Sequence, residues 1–167
     1  MTSVDVTTGQ VIAQVGSVDY NKEGYGQTNA ATSSLDPGSS IKPVVDYAAL
    51  FNKKDTVYTP GTILKDENID SQYCAGTYGS CQLRNASKQF YGSVPIRFSL
   101  GNSLNIAAVK SLAIVGVNDG ISVAQQLGDK SYCKNSNAGL SAAIGGGCSV
   151  HQDEHTNAYA SIARGGV

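Results

Sequence analysis

Charge is scarce in this sequence. Only 15% of residues are charged, 12 Lys or Arg balance 13 Asp or Glu, and the formal net charge is -1. Without a basic stripe or arm there is no electrostatic footprint for nucleic acid, which excludes it as an expected partner. No apolar run is long enough to span a bilayer. No basic start followed by an apolar stretch marks a secretion signal, so any anchor or export signal is expected on a part of the protein outside these residues. What the chain does have is a hydrophobic share of 41% and 167 residues. That suits one globular domain large enough to bury a core. The 19 glycines indicate many turns and close backbone approaches.

The four cysteines all sit in polar, Gly/Ser/Asn-rich surroundings. Four cysteines allow three pairings, and spacing does not choose strictly among them. Short local loops favour Cys74–Cys81 and Cys133–Cys148, each contributing roughly 2–3 kcal/mol by restricting the unfolded chain. Such bonds imply an oxidising, extracytoplasmic setting. The alternative is four unpaired thiols in a cytoplasmic protein.

Along the chain, Val4, Val6 and Val11–Val15 flank Thr7-Thr8-Gly9-Gln10 and read as a β-hairpin. Residues 17–34 read as loop. Asp36-Pro37-Gly38 is a strong turn signal, and the spacing of Val44, Val45, Tyr47, Ala48 and Leu50 predicts a helix starting near Ser39. Residues 55–95 carry many turn formers and few periodic runs. A helix from about Ser103 to Val115 is apolar almost all round, so it is expected inside the domain. A shorter helix capped by Asn118 or Asp119 closes at Gly128, and a last one runs from about Asp153 to Ala163. Tyr73, Tyr78, Tyr91 and Tyr132 are expected to be exposed, lining a cleft or, on the plainer reading, covering loops.

The strongest chemical signal is Ser39-Ser40-Ile41-Lys42-Pro43. Residues three apart on a helix share a face, so Ser39 and Lys42 can meet. A serine hydroxyl needs a base to become a useful nucleophile. A lysine can serve if its environment lowers its pKa from about 10.4 towards neutrality, some 4 kcal/mol of environmental work that only a cleft supplies. The helix start adds free N–H groups and a favourable dipole for a developing oxyanion. Pro43 lacks an N–H, so the Ser39 carbonyl loses its usual helical partner. The bare Ser-x-x-Lys pattern is weak, with about one chance match expected. Ser131-Tyr132-Cys133-Lys134 also fits it but has no helix after it.

Ser103-Leu104-Asn105 is the second signal. At a helix head both polar groups can point into a cleft, the serine relaying a proton and the asparagine holding a carbonyl or the lysine. The plainer reading makes Ser103 an N-cap worth roughly 1 kcal/mol. His151-Gln152-Asp153-Glu154-His155 fits the pattern of inverted zinc peptidases, with His151 and His155 as ligands, Glu154 as base and Cys148 close by. Asn85-Ala86-Ser87 fits a glycosylation acceptor and reads as chance.

Taken together, these segments resemble a family. Pro37-Gly38-Ser39-Ser40-Ile41-Lys42-Pro43 is similar to the serine–lysine motif of penicillin-binding protein transpeptidases. Leu100-Gly101-Asn102-Ser103-Leu104-Asn105-Ile106-Ala107-Ala108-Val109-Lys110 is similar to their Ser-x-Asn motif and helix. Asp5–Gly16 resembles the opening strand pair. Tyr58–Leu64 and Asn157–Val167 resemble the bifunctional, class A branch, and Glu154 falls at a family glutamate position with the histidines as surface variants.

The resemblance implies an α+β, β-lactamase/transpeptidase-like fold, present incompletely as one partial domain over 1–167. It implies catalytic roles for Ser39, Lys42 and Ser103, with Asn105 binding the acyl-donor peptide. Its substrates would be D-Ala-D-Ala stem peptides of peptidoglycan, with β-lactams as trapping inhibitors and no cofactor or metal. The location would be the extracytoplasmic face of a bacterial membrane, the anchor lying upstream. No Lys-Thr-Gly motif occurs in these residues, so the sheet is expected to be unfinished and this piece alone weakly active or inactive. A D,D-carboxypeptidase, the zinc hydrolase, and a non-catalytic module of the same fold stand as alternatives.

Overall fold

The computed structural model describes residues 1–73, 82–134 and 138–166. The Cys74–Cys81 pairing therefore lies outside the described residues, as does Tyr78. β1 (Thr2–Val4) and β2 (Val11–Gln14) form the antiparallel hairpin, with Thr2 opposite Gln14 and Ser3 opposite Ala13. Asp5 shapes its turn: its carboxylate accepts the Thr8 N–H at 2.8 Å and its carbonyl accepts that of Gly9 at 2.8 Å. Gly9 adopts a φ of 72° there, a left-handed conformation that favours glycine. Every residue of β2 is exposed, so the hairpin has an open face.

After the loop, one continuous helical segment changes its winding twice. Gly38–Ile41 is a 3-10 turn, Pro43–Ala48 is π-helical, and α1 (Ala49–Phe51) is α-helical. Proline explains the first change. Because Pro43 has no N–H to give, the Ser39 carbonyl takes the Lys42 N–H instead, one residue early.

β3 (Ile63–Asp66) pairs antiparallel with β4 (Gly92–Pro95), Leu64 opposite Val94. These strands fall in the turn-rich stretch where the sequence shows little periodicity. The inward positions of β3 are Leu64 and Asp66, and a buried aspartate breaks the apolar alternation that would signal a strand. α2 (Asp70–Tyr73) and α3 (Ile96–Gly101) are likewise too short to show a period.

α4 (Asn105–Val115) is the centre of the molecule, as its all-round apolar character predicts. Ile106, Ala107, Ala108, Val109, Ser111 and Leu112 are all buried. On one side Ile106 and Leu112 join Ile41, Val44 and Val45. On the other Ala107 joins Tyr47, Leu50, Leu64 and Val94. α5 (Val117–Leu127) begins from Gly116, not from Asn118 or Asp119, and ends at Gly128. α6 (Gln152–Ala163) then returns beside the hairpin, and Arg164 donates to the Val6 carbonyl at 2.8 Å. No single helix among the described residues is long and apolar enough to cross a membrane.

Tyr132 is no loop cover. It is fully buried, and its hydroxyl donates to the Ala142 carbonyl at 2.5 Å. Next to it Cys133 is bonded to Cys148, closing a loop of sequence separation 15. Loop-closure entropy for that length is worth about 3 kcal/mol. The Cys133→Ala/Cys148→Ala protein is therefore expected to lose about that much stability, measured by urea unfolding.

Candidate active site

Lys42 projects from the end of the 3-10 turn, yet only 1% of it is exposed. Its ammonium has three hydrogens, and all three find acceptors. Nζ donates to the Ser103 carbonyl at 2.7 Å, to Ser103 Oγ at 3.1 Å and to Asn105 Oδ1 at 2.7 Å. Burial holds the Lys42 pKa down at about 8, against the opposing pull of the Asp46 carboxylate one turn further on. Asp46 is itself fully buried, and burial pushes its carboxyl well above the ordinary range.

Ser39, three residues before Lys42, is exposed, and its hydroxyl has no hydrogen bond among the described residues. The structure thus brings Lys42, Ser103 and Asn105 into direct contact, with Ser39 one turn away at the open end of the same helix.

Ser103 does not cap α4. The helix begins at Asn105, and Ser103 precedes it with a φ of 52°, a left-handed conformation rare for a residue with a side chain. That conformation costs on the order of 1–2 kcal/mol. In return it turns both the carbonyl and the hydroxyl of one residue onto one ammonium. Strain of this kind collects at functional sites where the surroundings overdetermine it.

The surroundings here are Asn85 and Asp66, neither of which the sequence singles out for the site. Asn85 Oδ1 accepts the N–H groups of Asn105 at 2.8 Å and Ile106 at 3.4 Å, so the cap of α4 comes from a residue 20 positions upstream. Asn85 Nδ2 donates to both oxygens of the fully buried Asp66, at 3.0 and 2.8 Å. Asn105 Nδ2 donates to the Arg84 carbonyl at 2.8 Å, which leaves its Oδ1 aimed at Lys42. An Asn-Ala-Ser in a turn-rich stretch gives no sign of burial, and only the fold reveals it.

Gly145 is a second hidden support. Its φ is 84°, and a Cβ placed on it would stand 2.6–2.9 Å from the backbone of Gly38, directly before Ser39. Backbone cannot give way as a flexible side chain can. Gly145→Ala is expected to displace the Ser39 turn while leaving the protein folded. Faster amide hydrogen exchange around Ser39, with an unchanged circular dichroism spectrum, checks this.

The zinc alternative finds no geometry. His155 Nδ1 faces Asp129, Glu154 Oε2 accepts the Ser131 N–H at 2.7 Å, and Cys148 is in a disulfide. No three His, Cys, Asp or Glu residues gather as a metal site among the described residues. The second Ser-x-x-Lys match sits beside the disulfide, where Ser131 Oγ accepts the His151 N–H at 3.1 Å.

The penicillin-binding protein transpeptidase domain model matches residues 1–167. This chain belongs to that family. The transpeptidase-domain chain is 31% identical over 166 residues to penicillin-binding protein 2D of Bacillus subtilis, covering 98% of itself and 22% of that protein. It is 33% identical to penicillin-binding protein 1A of Aquifex aeolicus, over 77% of itself and 17% of that protein. Among solved structures, penicillin-binding protein 1A of Haemophilus influenzae matches with a TM-score of 0.80 at 29% identity, covering 96% of this chain and 22% of that one. A Mycobacterium tuberculosis penicillin-binding protein solved with penicillin V shares the fold at a TM-score of 0.77 and 20% identity, covering 97% of this chain and 42% of that one. The chain thus spans about a fifth of the curated relatives it matches. The two separate two-stranded sheets among the described residues fit an incomplete transpeptidase-like fold of mixed helix and sheet.

Proposed function

We propose that the full-length protein is a peptidoglycan D,D-transpeptidase working outside the cytoplasm through a serine ester. The observation that carries this reading is the contact of a buried Lys42, its pKa held near 8, with Ser103 Oγ and Asn105 Oδ1, one turn below an exposed Ser39.

In this reading Ser39 Oγ attacks the carbonyl of the penultimate D-Ala of a stem peptide. Its proton passes to neutral Lys42. As the C–N bond breaks, Ser103 gives its hydroxyl proton to the departing D-Ala amine and takes the proton held on Lys42 in its place. Asn105 holds the donor peptide in place. The amine of a second stem peptide then attacks the ester, forming the cross-link and freeing Ser39. A β-lactam offers the same carbonyl without a departing group and stays on as an ester.

Labelled penicillin tests this directly. The full-length protein is expected to take up one label per chain, and Ser39→Ala to take up none. An unlabelled full-length protein, or labelling that survives Ser39→Ala, would overturn the assignment. Products from a stem-peptide substrate distinguish cross-linking, with an amine acceptor, from carboxypeptidase action, with water.

A further inference from the structure

On the flank of the Ser39 turn, three residues from distant parts of the chain stand in line. His155 Nε2 lies 3.0 Å from Ser40 Oγ, and His155 Nδ1 lies 2.8 Å from Asp129 Oδ2. Asp129 is fully buried, and its other oxygen, Oδ1, has no hydrogen-bond partner among the described residues. The imidazole is 14% exposed, while Ser40 is open to solvent. Tyr159 fixes the arrangement from the next turn of α6. Its hydroxyl donates to the Ser40 carbonyl at 2.7 Å, and its ring stands edge-on to the imidazole at 5.2 Å between centroids.

A mere clasp between α6 and the turn needs only the His155–Ser40 contact. A buried carboxylate behind the imidazole, with one oxygen unsatisfied, costs stability. That arrangement is suited to stabilising an imidazolium formed in front of it, as in a Ser-His-Asp relay. We propose that Ser40, His155 and Asp129 form a second nucleophilic centre, at which Ser40 Oγ is acylated by small activated esters independently of Ser39.

Asp129 accepts the Nδ1 hydrogen, which leaves the Nε2 lone pair facing the Ser40 hydroxyl. The hydroxyl also has the Pro37 carbonyl 2.6 Å away. Turning from that carbonyl to Nε2 takes only rotation about the Cβ–Oγ bond. Ser40 Oγ then bonds to the ester carbonyl carbon as its proton moves to Nε2. The bond from that carbon to the leaving oxygen breaks, and the departing oxygen takes the proton from Nε2. Water then adds to the acyl carbon as one of its protons moves to Nε2, and the bond to Ser40 Oγ breaks as that oxygen takes the proton back, releasing the acid. The backbone N–H of Ser39 has no hydrogen-bond partner among the described residues and stands one peptide away in the chain. With so open a site, the substrates are esters whose leaving group needs little help, such as aryl esters.

The probe is p-nitrophenyl acetate on full-length protein carrying Ser39→Ala, with the modified residue mapped by mass spectrometry. Acetyl is expected on Ser40, forming about a hundredfold more slowly when His155→Gln or the near-isosteric Asp129→Asn is added. No acetyl on Ser40, or equal rates in these variants, overturns the proposal. Penicillin labelling of Ser39 in the same protein without the Ser39 change reads the transpeptidase assignment separately, so one can fail while the other stands.

Discussion

Replacing Lys42 by Met is expected to slow penicillin acylation by about three orders of magnitude, the span typical of losing a positioned general base. Stopped-flow labelling of the full-length protein measures it. Methionine keeps the buried stem and removes only the amine, so the fold should survive. Lys42→Arg is expected to be about as slow, because a guanidinium stays charged at any working pH. The wild-type rate carries a further signature. With the Lys42 pKa held at about 8, the neutral amine grows roughly tenfold per pH unit below that point and levels above it. A rate flat from pH 6 to 9 would remove Lys42 as the base. Stability follows the same shift with a definite sign. The unfolded lysine keeps its proton up to about 10.4, so between about 8 and 10.4 the unfolded state binds more protons and stability rises with pH.

Asn85→Ala is expected to cost about 3 kcal/mol in urea unfolding, although Asn85 touches neither Ser39 nor Lys42. The change strips two hydrogen bonds from the buried Asp66 carboxylate and uncaps α4 at Asn105 and Ile106. Under conditions where the variant is still folded, acylation should fall at least tenfold, because Asn105 and the strained Ser103 turn lose their brace. A variant as stable as wild type would show that Asn85 braces nothing. Asp at this position would be worse, since it sets a second carboxylate against Asp66.

What could be read in advance depended on the length of the signal. α4 announces itself over eleven residues that are apolar almost all round. Ser39, Lys42, Ser103 and Asn105 stand out because chemistry is written into residue type and spacing, and the folded chain puts the last three in contact. The supports of the site are written otherwise. Asn85, Asp66 and Gly145 act through burial and backbone proximity across 19 to more than 100 positions, which no local pattern records. The plainer cap reading of Ser103 rests on polar residues at helix starts usually being caps. Here a distant amide took that duty, leaving the hydroxyl to face the lysine. His155 and Glu154 matched a metal motif in spacing, but α6 sends them to different partners, Asp129 and the Ser131 N–H.

Winding also governs how the Ser39–Lys42 pair is aimed. In a 3-10 turn residues three apart eclipse one another along the axis, whereas in an α-helix they are offset by part of a turn. The Lys42 N–H bonds back to the Ser39 carbonyl three residues earlier, so the two residues are joined across one tight turn. The tight coils ahead of Pro43 and the slack coils after it deviate from the ordinary twist in opposite senses. The two errors offset, so Ile41, Val44, Val45 and Leu50 can all stay turned inwards. A single imino acid acts as a gear change: it sets the bearing of the reactive end without rotating the anchored end out of the core.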